Sequence, residues 1–269
     1  MAIVITCPGA YSTYNTDNFG GTLFALPNTR IPGSWNNFSI DNWAAEIDVD
    51  NMYELIVDNI DLTDWLVVAA HSRGAQIVYK LFRQKMTELD TNVNPAKILF
   101  ISSGNPERKY TGACYTNYAE YPARYPGGDY GVGFGLPPGG SGAFRLLDIV
   151  RTYDPWADTP ADWTNEDALD AIESSGVHSE YYDAPPLDAS GWPVDWNHWT
   201  RYDEGNVSYL TEKPALIISP PAKTPLAVCH RGKPLGNWKT ETERLDNLAR
   251  QNIESAYDRP VPLVGYVAD

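Results

Sequence analysis

The segment WLVVAAHSRGAQIVYKLF, at residues 65–82, joins an apolar run to an amphipathic segment through a single serine. Residues 66–70 are apolar and favour a buried strand, and residues 74–89 are apolar at helical spacing. So short a connection between strand and helix is typical of a nucleophile elbow, in which a strained serine exposes its hydroxyl above the sheet. The sequence therefore predicts that Ser72 is a nucleophile.

Small residues flank Ser72 on both sides. The strand and helix of an elbow pass close together, so the positions two before and two after the serine need small side chains. Ala70 and Gly74 occupy these positions, and Ala70 departs by one methyl group from the usual glycine. The start of the following helix supplies a positive dipole end, which suits a developing oxyanion. The alternative is an ordinary tight turn in which Ser72 only caps the helix.

The pattern along the chain predicts an α/β fold with a mostly parallel sheet flanked by helices, because predicted strands alternate with predicted helices. The predicted strands are residues 2–7, 66–70, 97–102 and 143–152, and the predicted helices are residues 43–60, 74–89, 165–174 and 241–256. Residues 122–142 are rich in Gly, Pro and Tyr, which indicates either a substrate loop or a plain surface loop. We predict a core at residues 1–183 and an irregular extension at residues 184–269 that packs on it.

Composition excludes several classes of function. The chain has 269 residues, 43% of them hydrophobic, and a formal net charge of -15. That charge argues against nucleic acid as a partner and against an electrostatic membrane anchor. No apolar run approaches the ~20 residues of a membrane span, and the first residues lack a basic signal region, so we expect synthesis in the cytoplasm. The three cysteines lack the spacing of a disulfide framework or metal site, and we expect no metal or cofactor.

A nucleophilic serine needs a base, and four histidines are available. The side chain of His71 should diverge from that of its neighbour Ser72, which leaves His178, His198 and His230. A predicted helix ending in a Ser-Gly pair returns the chain to the sheet edge just before His178, which favours this residue. The tryptophans around His198 indicate a packed aromatic cluster, in which a histidine is often structural.

The base in turn needs a carboxylate that orients it. Asp154 lies at the C-terminal end of the predicted strand at residues 143–152, where the catalytic groups of open α/β sheets collect. Asp158 lies four residues further on and is the rival candidate. An Asp-Pro step at this point is also ordinary turn chemistry.

Five short segments together resemble the cutinase-like serine esterases of actinobacteria and their phages, which include the phage lysin B enzymes and the hydrolase domain of mycobacterial PE-PPE proteins. They are PGA at residues 8–10, AHSRGA at 70–75, GNP at 104–106, YDPWADTP at 153–160 and GVHSEY at 176–181. The resemblance implies an α/β-hydrolase fold and ester hydrolysis by Ser72, Asp154 and His178. It also implies an oxyanion hole built from the backbone N–H groups of Ala10 and Arg73.

The resemblance further implies a lipid or glycolipid ester substrate, such as the mycolyl esters of an actinobacterial envelope. On this reading the protein is phage-encoded and is released on lysis or associated with the virion. The chain departs from lysin B in two ways: the segment between Asp154 and His178 is short where lysin B enzymes carry a long helical linker, and about ninety residues follow His178 where their histidine lies near the C-terminus. Because the sequence WNHWTRY is similar to a lysin B histidine context, His198 stays an alternative base. The alternative function is a binding or structural component of a phage virion that keeps the scaffold with reduced catalysis.

Overall fold

The computed structural model describes residues 1–10, 14–33, 46–116, 135–162, 164, 176–179, 181–212, 229–230, 233–234 and 254. The α-helices in these ranges are α1 Glu46–Ile60, α2 Arg73–Asn92 and α3 Ala113–Thr116. The strands are β1 Ile3–Cys7, β2 Thr29–Pro32, β3 Leu66–His71, β4 Ile98–Ser103, β5 Arg145–Val150, β6 Trp199–Glu204, β7 Val207–Glu212, β8 Cys229–His230 and β9 Lys233–Pro234. The helix predicted at residues 165–174, that at 241–256 apart from residue 254, and most of the loop predicted at residues 122–142 lie outside the described residues.

Seven strands form one sheet in the order β2-β1-β3-β4-β5-β7-β6. Neighbouring strands run parallel from β2 to β7, and β6 alone pairs antiparallel, with β7. The predicted fold class, a mostly parallel sheet with flanking helices, is therefore confirmed. The short β8–β9 pair forms a separate two-stranded sheet.

The central strands are buried on both faces, as their near-continuous apolar sequences predict. Every residue of β1 and β4 is buried. Helices α1 and α2 cover one face, where Met52 and Phe82 pack against strand residues such as Phe100. On the other face, Phe19 and Leu187 belong to the cluster that covers the sheet.

The sheet contains three strands that the sequence analysis does not predict. Strand β2 is an exposed edge strand with a single partly buried apolar residue, Ile31. Strand β6 is an edge strand in which only Trp199 is buried and the other residues are partly buried or exposed. Strand β7 lies between β5 and β6 and is mostly buried. Polar residues in all three weaken the apolar signal. Because β6 and β7 belong to the central sheet, the sheet continues past residue 183, where the predicted core ends.

Parallel pairing brings the ends of three strands to one edge of the sheet. His71, the last residue of β3, lies in register with Ser103, the last residue of β4. Ser103 lies in turn opposite Ile149, near the end of β5. The segments that follow these strands, which contain Ser72 and Asp154, therefore emerge side by side.

Candidate active site

Ser72 forms the turn between β3 and α2 by itself. Its backbone has φ 54° and ψ -115°, a conformation that residues other than glycine seldom adopt. The turn is held by two backbone hydrogen bonds: the Ser72 N–H donates to the carbonyl of Ser103 at 2.8 Å, and the Ser72 carbonyl accepts from the N–H of Gln76 at 3.1 Å. A strained serine with the helix starting at the next residue is the geometry of a nucleophile elbow.

Gly74 allows the helix to pass directly over the end of β1. A Cβ atom at this position would lie 2.8 Å from the carbonyl oxygen of Pro8, and closer still to that of Cys7. Both are backbone atoms, so no side-chain rotation could relieve the overlap. Ala70 is buried within the sheet, in register with Cys7 on one side and Ser102 on the other. The need for a small residue is therefore strict at Gly74, whereas the sheet accommodates the methyl group of Ala70.

His178 bridges the serine and an aspartate. Its Nε2 lies 2.9 Å from Ser72 Oγ, and its Nδ1 lies 2.8 Å from Asp154 Oδ1. An ionised carboxylate only accepts hydrogen bonds, so Nδ1 carries the proton and Nε2 is left to accept the proton of the serine hydroxyl. The imidazole belongs to the 3-10 turn Val177–Ser179, and 19% of the side chain is exposed. The structure thus brings Ser72, His178 and Asp154 into one hydrogen-bonded chain.

Asp154 is fully buried in the turn that follows β5. Its Oδ1 also accepts hydrogen bonds from the backbone N–H groups of Trp156, at 2.9 Å, and Ala157, at 3.2 Å. Burial by itself would raise the pKa of Asp154, but the charge and hydrogen bond of His178 and the Trp156 N–H bond outweigh it. The net pKa of this carboxyl lies below its ordinary value, and Asp154 is ionised at neutral pH.

Asp158 has a different position from Asp154. Its Oδ2 accepts the backbone N–H of Tyr153 at 2.8 Å. Tyr153 has φ 66°, an uncommon conformation for a bulky residue. The Asp158 N–H also donates to the carbonyl oxygen of Asp154 at 2.8 Å. The structure therefore places Asp154 against His178, and Asp158 closes the strained turn that carries Asp154.

His198, the second candidate base, does not share this arrangement. The side chain of His198 is 60% exposed, and its Nε2 lies 3.4 Å from Asp195 Oδ2, three residues earlier. It belongs to the 3-10 turn Trp196–His198 just before the edge strand β6. His230 lies in the short strand β8, and its side chain is outside the described part of the chain.

His71 lies beside the candidate base His178, and the sequence does not predict this contact. Its ring centroid is 5.0 Å from that of His178. The Ser103 hydroxyl donates to the carbonyl of Ala70 at 3.0 Å, so its oxygen accepts the proton of His71 Nδ1 at 3.2 Å. Burial, together with the neighbouring His178, lowers the pKa of His71 to about 3. His71 is therefore a neutral, fixed wall of the site.

Gly104, the first residue of the GNP segment, leaves room for both histidine rings. A Cβ atom there would lie 2.8 Å from Cε1 of His71, 3.1 Å from Oδ2 of Asp154 and 3.2 Å from Cε1 of His178. The backbone also has φ +58°, which favours glycine. A glycine directly after a strand can indicate that other groups pack closely against the backbone. The sequence GNP does not indicate that these groups are His71, Asp154 and His178.

The two residues expected to supply oxyanion donors belong to the start of α2 and to the turn after β1. Arg73 is the first residue of α2, where a backbone N–H has no acceptor within the helix. Ala10 is partly buried in the turn after β1, and the end of β1 packs against Gly74. Their role as donors to an oxyanion stays a prediction.

The described ranges contain no group of three or more His, Cys, Asp or Glu side chains that could hold a metal ion. None of their helices is both long and apolar enough to cross a membrane. The chemistry that the described site can perform is nucleophilic attack by a serine hydroxyl whose proton passes to a histidine.

Comparison with known proteins gives one family match. A family model described as PE-PPE domain matches residues 22–258. No curated protein sequence matches the chain. Among solved structures, it is similar to a cutinase-like protein from Cryptococcus sp., at 13% identity and a TM-score of 0.38, over 67% of this chain and 91% of that one. It is also similar to a putative YdeN-like hydrolase from Pectobacterium atrosepticum, at 13% identity and a TM-score of 0.33, over 94% and 92% of the two chains. Because both TM-scores are below 0.5, only the family match bears on function.

Proposed function

Since this chain belongs to the PE-PPE domain family and is an ester-hydrolysing enzyme, we propose that Ser72, His178 and Asp154 are its catalytic triad. The observation that carries the proposal is the continuous hydrogen-bonded chain, 2.9 Å from Ser72 Oγ to His178 Nε2 and 2.8 Å from Nδ1 to Asp154 Oδ1. Both distances are within the range that proton transfer between heavy atoms requires. The strained elbow at Ser72 supports the same assignment.

In the proposed first half-reaction, Ser72 Oγ attacks the acyl carbon of the ester while its proton moves to His178 Nε2. The ionised carboxylate of Asp154 stabilises the imidazolium that results. The backbone N–H groups of Ala10 and Arg73 are proposed to hold the tetrahedral oxyanion, and losing one such donor typically costs roughly 3 kcal/mol of barrier stabilisation. The intermediate then expels the alcohol, whose oxygen takes the proton from His178, and leaves an acyl ester on Ser72.

In the second half-reaction, a water molecule loses a proton to His178 and attacks the acyl ester of Ser72. The same oxyanion donors would act again. Collapse of this second intermediate returns the proton to Ser72 Oγ and releases the carboxylic acid. His178 serves as base and then as acid in each half, which requires that it be held between Ser72 and Asp154, as its two hydrogen bonds hold it.

The proposed substrate is a lipid or glycolipid ester, and more narrowly a mycolyl ester of an actinobacterial envelope. Support for the narrower assignment comes from the GNP segment, which is followed by the basic Arg108 and a Gly-rich stretch and is similar to the sequences of phage lysin B enzymes and PE-PPE proteins. On the same basis the protein is proposed to be phage-encoded, synthesised in the cytoplasm, and released on lysis or carried with the virion.

An ester panel tests the proposed function. We expect the purified protein to hydrolyse p-nitrophenyl esters and a mycolyl glycolipid, and Ser72→Ala to lose at least about a thousandfold in turnover. Ser179→Ala is the matched control, because Ser179 is an exposed neighbour of His178 and should leave turnover unchanged. Hydrolysis by folded Ser72→Ala at the wild-type rate would rule out the triad. A folded wild-type protein that hydrolyses none of these esters would favour the binding or structural alternative.

A further inference from the structure

Tyr181 lies three residues after His178, in the 3-10 turn Tyr181–Asp183, and is fully buried. Its hydroxyl donates a hydrogen bond to Asp154 Oδ2 at 2.8 Å. The same hydroxyl oxygen accepts the backbone N–H of Arg151 at 3.3 Å. A backbone N–H can only donate, so the phenol proton itself is directed at Asp154.

The two carboxylate oxygens of Asp154 are thus held by two side chains of one short segment. Oδ1 faces His178 Nδ1 and Oδ2 faces the Tyr181 hydroxyl, each at 2.8 Å. The terminal torsion of an aspartate side chain is soft. The donors from His178, Trp156 and Ala157 all bind Oδ1, so the Tyr181 hydroxyl adds a hold on Oδ2 that restrains rotation of the carboxylate plane.

The ring of Tyr181 is held in place by neighbours from two other segments. Phe19 packs against it edge-on, with centroids 5.9 Å apart, and His71 packs at a tilt, with centroids 4.9 Å apart. These contacts leave the hydroxyl no freedom to turn away from Asp154. These ring contacts would also be available to a phenylalanine, so they do not account for the hydroxyl that faces Asp154.

We propose that Tyr181 is a positioning residue for the proposed triad: it holds Oδ2 of Asp154 so that Oδ1 faces His178, and it shares the charge of the carboxylate. This inference rests on the proposed function above. Because the hydroxyl of Tyr181 bonds Asp154, it acts on His178 through that carboxylate.

The charged and titratable groups around Tyr181 determine how its loss would appear. Among the described residues these include Asp154 from the turn after β5, Arg151 next to the end of β5, His71 from the end of β3 and His178 from its own segment. Burial and the charge of Asp154 raise the pKa of Tyr181 well above its ordinary value, so the phenol stays a donor. Removing this donor would leave more negative charge facing His178. The imidazolium that forms on His178 during turnover would then be held more strongly by the carboxylate.

Tyr181→Phe tests the proposal by removing one oxygen and keeping the ring. We expect kcat to fall about 10- to 100-fold, the size expected for a hydrogen bond to a charged group, with KM little changed. The acid limb of kcat/KM against pH should move upward by at least about 0.3 unit. Tyr182→Phe is the control, because this adjacent side chain is 43% exposed, and its profile should match the wild type. A purely structural role would lower stability without moving the acid limb.

A double-mutant cycle separates action through Asp154 from an independent effect. We expect that adding Tyr181→Phe to Asp154→Asn changes the rate of Ser72 labelling by a fluorophosphonate less than twofold. The inference would be overturned if Tyr181→Phe kept full activity with an acid limb that is unmoved or lowered. It would also be overturned if Tyr181→Phe slowed labelling equally in the wild type and in Asp154→Asn. If the proposed function itself fails, Ser72→Ala and Asp154→Asn will keep the wild-type rate. If only this inference fails, both of those variants will be inactive.

Discussion

The backbone N–H of Tyr153 donates to Asp158 Oδ2 at 2.8 Å and thereby holds a residue with φ 66° directly before Asp154. The two aspartates of the YDPWADTP segment therefore have separate positions in one turn. Asp154 faces His178, and Asp158 faces the backbone that carries Asp154. This separation leads to the first prediction.

We expect Asp154→Asn to reduce turnover about 10³- to 10⁴-fold without unfolding the protein, because an amide cannot stabilise the imidazolium or enforce its tautomer. Asp158→Asn should keep turnover within about tenfold of the wild type, because the amide oxygen still accepts the Tyr153 N–H. Steady-state kinetics and thermal melts of both variants provide the check. Equal losses of turnover in two equally stable variants would contradict the assignment of Asp154.

Gly74 and Ala70 should differ in their tolerance of a one-methyl change. Gly74→Ala places a methyl group against the carbonyl oxygens of Cys7 and Pro8. Such overpacking typically costs about 1–3 kcal/mol, or about 2–5 °C of melting temperature for a chain of this size. Ala70→Gly should cost no more than about 1 kcal/mol, through backbone entropy alone. A Gly74→Ala variant that melts at the wild-type temperature would refute the close approach of α2 to β1.

The histidine assignment predicts opposite outcomes at two positions. His178→Ala should reduce turnover about as severely as Ser72→Ala, by about a thousandfold or more, because the serine hydroxyl is a poor nucleophile without its base. His198→Ala should stay within about twofold, because its side chain is 60% exposed and its ion pair with Asp195 is local. The reverse pattern, measured on folded variants, would transfer the role of the base to His198.

His71 should make the protein less stable in acid. Its pKa is about 3 in the folded chain, against about 6.5 for an unperturbed histidine. Between these values the unfolded chain binds a proton that the folded chain does not, so the free energy of unfolding falls as the pH falls. His71→Gln removes this contribution. The difference in melting temperature between the wild type and His71→Gln should therefore shrink by at least about 2 °C when the pH is lowered from 7 to 4. If the melting temperatures of the two proteins differ by the same amount at pH 7 and at pH 4, the pKa of His71 is not lowered.

The elements that the sequence predicts well are those with a strong apolar pattern. Strands β1, β3 and β4 are buried on both faces, and α2 follows an unbroken helical periodicity, so local sequence is sufficient for each. Strands β2 and β6 lie at the sheet edges, where the physical requirement is backbone pairing rather than burial. Because these strands contain many polar residues, their sequences do not predict strands. The sequence therefore also fails to predict that the sheet extends beyond residue 183.

The sequence also predicts some features of the candidate site and not others. The elbow is a local feature, so its small flanks and strand–helix junction identify Ser72 from the sequence. The contacts of His71 and Tyr181 depend on how separate segments meet at the sheet edge. His71 points at His178 because the Ser103 hydroxyl on the neighbouring strand fixes its ring. No local pattern contains that information, and the same holds for the hydrogen bond from Tyr181 to Asp154.

The most direct test of the central claim is to map the residue that an active-site serine probe modifies. We expect a fluorophosphonate to add once per chain, with the adduct on the peptide that contains Ser72. The adduct should be absent in Ser72→Ala and should form at least about a hundredfold more slowly in His178→Ala, because the base activates the hydroxyl. No adduct on folded wild-type protein that hydrolyses esters, or an adduct on another residue, would contradict the assignment of Ser72 as the nucleophile.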